Sequence, residues 1–511
     1  MHQPEKLATA MCSLVLAGCA STALDMVPSR PDRPWRPAIS VGGEILANGA
    51  GGVATSDNGS YVLPSNPALA VVKPAPVLDP GRAYSLADLI DIAQSSHPAT
   101  RIAWDDARHA ALAAGIAESA YLPRLTANLV GARQSADGRS SLSSLNFGNG
   151  SDWGAVGALS LQWLLFDFGE RAAVLDAAQQ VTVASNIAFT AAHQRVIHDV
   201  CLAFYAQAAA RMRVESADKS LSNALKVEAA ADDRFKHGVG TVIAVAQARQ
   251  ATAQTRLAQV QSKGVAQDSY QALLSAMGIS PMTQIRLADV SKRKLSPALA
   301  GSVDRLVREA LSRRPDVLGA YAAQKAAAAS IRAAEADFKP KVFVSASTSY
   351  TTAHLGLTSI PSVSQQPGTA NLSGHKWGAT VLAGITVPIY DGNMRNNTLQ
   401  QAHANADKAA ATLERVRDEA VRQIVMAQNA LETSLAAHDA ATALKTAAQT
   451  TFDAALDAYR HGVGSITDAT MAETQLLQAG NAATDAYSNA LSAAATLAFA
   501  SGSLGAAPDS R

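Results

Sequence analysis

Side chains able to do covalent or metal chemistry are scattered along this chain. Its eleven histidines show no metal-ligand spacing, and His193 and His198 are five apart, off the i, i+4 face that a helical metal pair uses. No glycine-rich phosphate loop, nucleophile elbow or convergent acid pair is present, so the reading is a non-enzyme with no metal and no cofactor. Of three cysteines, Cys201 lies between Val200 and Leu202 in a helical context and reads as a small buried hydrophobe. Cys19 is different. Lys6 and the run Leu7 to Leu16 look like the start of a secretory signal, and Leu16-Ala17-Gly18-Cys19 looks like a bacterial lipobox. The chemistry expected there is cleavage before Cys19 and acylation of its thiol. Ala20, rather than aspartate, favours sorting to the outer membrane.

The chain has 511 residues with a net charge of +1, and no broad basic field points to nucleic acid. Two stretches carry the same landmarks in the same order. Pro98 and Pro315 are 217 apart, as are Pro123 and Pro340. The segments Phe166-Asp167-Phe168-Gly169-Glu170-Arg171 and Arg234-Phe235-Lys236-His237-Gly238-Val239-Gly240-Thr241 recur 224 residues later. Their counterparts are Tyr390-Asp391-Gly392-Asn393-Met394-Arg395 and Ala458-Tyr459-Arg460-His461-Gly462-Val463-Gly464-Ser465. A duplicated unit of helix, strand, strand, long helix, turn and helix is the economical explanation.

The expected divisions are a signal peptide over 1–18, a lipid-anchored extended segment over 19–82, repeats over 83–300 and 301–505, and a tail over 506–511. No proline or glycine falls between Ala172 and Asp233 or between Met394 and His461. About 60 helical residues reach roughly 90 Å, and so long a helix must pack laterally along its length. Leu413, Val416, Ala420, Ile424, Ala427, Leu431 and Leu435 line one such face.

Strand segments alternate instead. Val342, Val344, Ala346, Thr348 and Tyr350 share one side. Leu159, Leu161, Trp163 and Leu165, and likewise Val381, Ala383, Ile385 and Val387, alternate with more polar neighbours. Loops from Ala136 to Trp153 and Thr352 to Lys376 look exposed. Two repeats supply only four strands, whereas a membrane barrel needs about eight or more with no free edge. If the strands enter a bilayer, several identical chains must cooperate.

At this point the chain resembles the TolC family of outer-membrane channels, in its lipoprotein branch. The resemblance covers roughly Leu86 to Gly505. It rests on the duplication, on the strand ends at Asp167-Phe168-Gly169 and Pro388-Ile389-Tyr390-Asp391-Gly392, and on the His-Gly-Val-Gly turns. It implies a mainly α fold with a membrane β-barrel, a homotrimer with a 12-stranded barrel continued by a periplasmic helical tunnel. Asp167, Gly169, Pro388, Asp391 and Gly392 would mark the passages from strand to helix, the first copy having Leu164 in place of the proline.

The resemblance also makes the two turns periplasmic tips. His237, Gly238, Val239 and Gly240, with His461, Gly462, Val463 and Gly464, would contact a periplasmic adaptor that bridges to an inner-membrane pump, proton-driven or of the ABC type. Tyr459 matches the gating tyrosine and Asp468 an acidic ring. The family often has an aspartate where this chain has Met471, Glu473 being the next acid, and a basic residue where it has Gly464. The expected function is an exit duct of a tripartite efflux system for small toxic compounds, a weak aromatic acid such as fusaric acid being one plausible cargo. The alternatives are the channel of a type I protein secretion system and a non-pore coiled-coil adaptor.

Overall fold

Helix starts follow local chemistry. The computed structural model describes residues 78–134, 152–289, 303–351 and 377–504, with shorter stretches between 27 and 76 and between 357 and 372. Cys19, the signal segment, the tail from 506 and nearly all of the two long loops lie outside the described residues. Residues 1–77 and 78–511 form separate compact units, and both repeats share the second. In the first unit, Ile39 and Ile45 form a β-bridge around Gly43, which has φ of 85°.

The second unit opens with β1 (Ala83–Tyr84), α1 (Leu86–Ser96) and α2 (Pro98–Ser119). Next come β2 (Arg124–Gln134), β3 (Asp152–Phe166), α3 (Glu170–Lys236) and α4 (Val242–Ala276). After β4 (Arg286–Leu287), the order recurs as α5 (Val303–Leu311), α6 (Pro315–Ala336), β5 (Lys341–Thr351), β6 (Trp377–Thr386), α7 (Met394–Arg460) and α8 (Ile466–Ala500). Matched elements have equal lengths: 22 residues in α2 and α6, 67 in α3 and α7, 35 in α4 and α8. Proline opens both α2 and α6, where its missing N–H costs nothing. Among the described residues no helix is long and apolar enough to cross a membrane.

The main sheet is an antiparallel meander in the order β6-β5-β3-β2. Register sorts its side chains. Leu125 opposes Leu161, which opposes Ala346, which opposes Val381, so one face collects the apolar series of all four strands. The other face joins Thr126, Ser160, Ser347 and Thr380 in one row and Arg124, Gln162, Ser345 and Leu382 in the next. Phe343 on this face lies across Gly384, where a Cβ would come within 2.7 Å of its ring. β3 carries a bulge between Leu164 and Phe166.

Below the sheet, α3 and α7 are each about 100 Å long at 1.5 Å per residue. They form helical hairpins with α4 and α8, and α6 packs between α3 and α7. Alanines and β-branched residues dominate the contacts, as in the group Val227, Ala231, Val245, Ala248, Phe452 and Leu456 at the hairpin ends. Polar pairs punctuate the α3–α8 seam. Arg213 donates to Asp485 at 2.5 and 2.8 Å, the Ser488 hydroxyl to the Tyr205 carbonyl at 3.1 Å, and His198 lies 3.2 Å from Thr496.

Arg314, expected only as part of a turn, is buried. It donates to the Ala500 carbonyl at 2.8 Å, to Asp316 at 2.6 Å and to Gln423 at 2.7 Å, tying the start of α6 to the end of α8 and to α7. Replacing Arg314 with alanine takes the donor from the Ala500 carbonyl and Gln423 and leaves Asp316 only the Val317 N–H. A loss of about 2–4 kcal/mol is expected, read as a lower unfolding midpoint in detergent; an unchanged midpoint would remove Arg314 from the framework.

Candidate functional site

The residues singled out above fall at two levels, where strand becomes helix and where the hairpins turn. At the upper level the backbone must change from extended to helical within two residues. Both copies do so with a pair of left-handed residues, Phe168 (φ 54°) and Gly169 (φ 97°) in one, Gly392 (φ 66°) and Asn393 (φ 73°) in the other. Glycine and asparagine bear this conformation readily, whereas phenylalanine is strained there. Phe168 packs edge-on to Phe166 at 4.7 Å.

An arginine fixes each junction. Asp167 accepts from the Arg171 backbone N at 3.0 Å and from its Nε at 2.7 Å; Asp391 accepts from the Arg395 backbone N at 3.1 Å, with Nε at 2.8 Å. Arg171 reaches on to the carbonyls of Leu164 and Ala120 and lies 4.7 Å from the centre of the Tyr121 ring. Arg395 lies over Phe338, the counterpart of Tyr121. These charge-assisted contacts hold the first helical turn against the preceding strand. The arginines were missed as functional residues, although both sit four after the aspartate in the repeated segments. The copies differ at Pro388: β6 stops at Thr386, whereas β3, with Leu164 at the equivalent place, runs to Phe166.

At the lower level, Gly238 (φ 75°) and Gly462 (φ 82°) end the long helices. Val239 N donates to the Arg234 carbonyl and Val463 N to the Ala458 carbonyl, each at 3.0 Å, which closes the helix end. His237 and His461 each place Nδ1 within 2.9 Å of the carbonyl four residues earlier, so both flank the turn. The second glycine of each motif is required by space. A Cβ at Gly240 would lie 2.7 Å from the Phe235 nitrogen, and one at Gly464 3.0 Å from the Ala458 Cβ.

The two tips touch. Arg234 donates to the Tyr459 carbonyl at 2.8 Å and its guanidinium lies 5.2 Å from the centre of the Tyr459 ring. Tyr459 is buried among Ala231, Ala248, Ile466 and Ala469, and burial pushes its phenol up against the opposing pull of Arg234. Sequence carried no signal for Arg234, because its counterpart is Ala458. Asp468 is exposed and accepts from the Ser465 hydroxyl at 2.7 Å, completing a capping box at the start of α8. Met471 is exposed too, but Glu473 turns into the α3–α8 seam, where the Ser220 hydroxyl donates to it. Among the described residues no cluster of His, Cys, Asp and Glu could hold a metal.

A sheet apolar on one face and polar on the other, standing on paired helical hairpins some 100 Å long, is the structure of an outer-membrane channel protein. The family profile described as outer membrane efflux protein matches residues 89–279 and 306–503, and the chain belongs to that family. Protein CyaE of Bordetella pertussis is 27% identical over 451 residues, covering 86% of this chain and 88% of that one. Outer membrane protein OprJ of Pseudomonas aeruginosa is 26% identical over 379 residues, covering 73% and 75%. The structure of the outer membrane protein VceC of Vibrio cholerae superposes with a TM-score of 0.69 at 21% identity, covering 82% of this chain and 96% of that one. The protein is an outer-membrane efflux channel of the TolC family.

Glu473 offers a test of the seam. Burial raises its carboxyl above the ordinary value of 4.5, with the Ser220 hydroxyl opposing. The folded state therefore holds this proton more tightly than the unfolded chain. Its stabilising contribution is complete below the unfolded value and is lost as pH rises through the raised folded value. Glu473→Gln keeps an acceptor for Ser220 and removes the titration. It should raise the unfolding midpoint near neutral pH, with the gain vanishing on acidification below the ordinary value. Unfolding midpoints measured across that range check this, and a gain independent of pH would contradict it.

Proposed function

We propose that three copies of this chain close a 12-stranded barrel in the outer membrane and continue it as a periplasmic helical tunnel. In this assembly the chain is the exit duct of a tripartite efflux system. The observation that carries this reading is the sheet. Leu125, Leu129, Trp377, Val381 and Ile385 on its apolar face are each more than three-fifths exposed, and its outer strands β2 and β6 each have one edge that no described strand pairs. In a bilayer the apolar face meets lipid, the polar face lines water, and the edges must be paired. Aromatic placement supports the same orientation. Tyr350 and Trp377 oppose one another near the loop end, and Trp163 opposes Val344 near the helix end. The six residue steps from Val344 to Tyr350 span about 20 Å of strand, close to the apolar band of such barrels.

The lipid on Cys19 would tether the mature chain to the same membrane. The tips His237–Gly240 and His461–Gly464 would meet a periplasmic adaptor, which connects the duct to an inner-membrane pump supplying the energy. Tyr459 and Asp468 would stand at the entrance. Arg234 supports that role for Tyr459, because it ties the second hairpin to the first. The cargo is chosen by the pump. Small toxic compounds are the proposed class, and no described residue favours fusaric acid over others.

Purified protein in a planar bilayer should give discrete conductance steps, and none from correctly folded trimer would overturn the pore. Arg234→Ala and Tyr459→Ala should raise that conductance several-fold by freeing the tip. Unchanged conductance in both would remove Tyr459 from the entrance.

A further inference from the structure

Where the apolar rows of the sheet end, a cavity of about 460 Å³ opens between the start of α3 and the end of α6. Phe166 opposes Val342 and so stands on the apolar face, and Phe168 packs edge-on to it while lining the cavity. The cavity therefore continues the apolar face downward. Small residues leave the room: Ala173 and Ala336 are buried beneath it, and a Cβ at Gly169 would meet nothing within 4 Å.

Its walls carry both signs of charge. Asp176 comes from α3, Arg332 and Glu335 from α6, and Lys339 from the turn that follows. Arg332 pairs with Asp176, and nearby Lys341 pairs with Glu170 and Asp337. Lys339 and Glu335 are exposed and make no side-chain hydrogen bond or ion pair among the described residues. The other half of the chain shows that the fold does not require these groups. Its matched positions hold Gly392 for Phe168, Gln400 for Asp176, Gly115 for Arg332 and Leu122 for Lys339; only Glu118 keeps the charge of Glu335. An aromatic ring, two cations and two anions are gathered at one junction of the two.

We infer that this cavity holds the headgroup of a zwitterionic phospholipid of the phosphatidylethanolamine type. The phosphate meets Lys339 and Arg332, and the ammonium meets Glu335 and Asp176. The acyl chains run up over Phe168 and Phe166 onto the apolar face. A headgroup with negative charge alone satisfies the cations and is repelled by Glu335, so the mixed lining selects against it. Depth agrees with this placement. The seven residue steps from Gly169 to Asp176 descend about 10 Å, and the headgroup layer beyond the hydrocarbon is roughly 5–8 Å deep on each side of a bilayer. The inference rests on the reading that the apolar face meets lipid, and adds one lipid site per chain.

Native mass spectrometry of the purified trimer, titrated with phosphatidylethanolamine or with phosphatidylglycerol, tests it. The parent protein should retain one phosphatidylethanolamine per chain and prefer it to phosphatidylglycerol. K339L, which copies Leu122 of the other half, should weaken retention about tenfold, as expected for one lost charge-assisted contact. Its trimer and its conductance should be unchanged. E335Q should erase the preference between the two lipids. Equal retention by K339L, or a preference untouched by E335Q, would overturn the site, while conductance of the same samples would leave the lipid-facing sheet standing. Displacement of the lipid by phosphoethanolamine without acyl chains at equal concentration would overturn it too, since the ligand would then be a soluble phosphoester. A protein that enters no bilayer would overturn the lipid-facing reading and the site with it.

Discussion

Every backbone N–H and C=O that enters hydrocarbon must find a partner inside the protein, because no water is there to supply one. Four antiparallel strands satisfy that demand between themselves but leave β2 and β6 with one row each that no described strand pairs. The apolar face is left uncovered within the described residues of one chain, with Leu129, Trp377 and Val381 exposed. In the proposed assembly, closure with identical neighbours pairs both edges and turns the apolar face to lipid. The equal register of apolar and polar rows across all four strands is what makes the sheet fit to be one segment of a cylinder.

The helical part answers a different demand. A helix of 67 residues has no stability of its own at that length in water and must be held along its side. Alanine allows close approach on more than one face, so α6 fits between two long helices. Apolar packing between such small residues has little directional preference, and the helices could slide. Spaced polar contacts such as Arg213 with Asp485 and Ser488 with the Tyr205 carbonyl fix the register at intervals, because a slip leaves each donor without its acceptor.

Much of this was legible in the sequence because it is written in periodicity and spacing. The long helices, expected from the absence of proline and glycine between Ala172 and Asp233, extend only to Glu170 and Lys236. The strand alternation of Val342 to Tyr350 was readable as well. The contacts that position the site were less so. Arg171 and Arg395 could have been found, since both lie one helical turn after an aspartate in a repeated segment. Arg234 could not, because its effect on Tyr459 depends on bringing together residues 225 apart. Glu473, read along the chain as the next acid near the entrance, points into a seam that only the fold defines.

The two halves show what the fold constrains and what it leaves free. The lengths of α2 and α6, α3 and α7, and α4 and α8 match residue for residue, while the residues at equivalent sites often differ. Phe168-Gly169 and Gly392-Asn393 use different side chains for one backbone path. Length is constrained because a single insertion in a helix rotates every later residue by about 100° and moves a packed face out of contact. Identity is freer because each half meets a different neighbour. Arg234 faces Tyr459, so a cation is useful there; Ala458 faces the close turn at Gly464, where only a small side chain fits. The sequence similarity between the halves is therefore confined to turns and junctions, where backbone geometry itself selects the residue, and it fades along the helices, where the partner does.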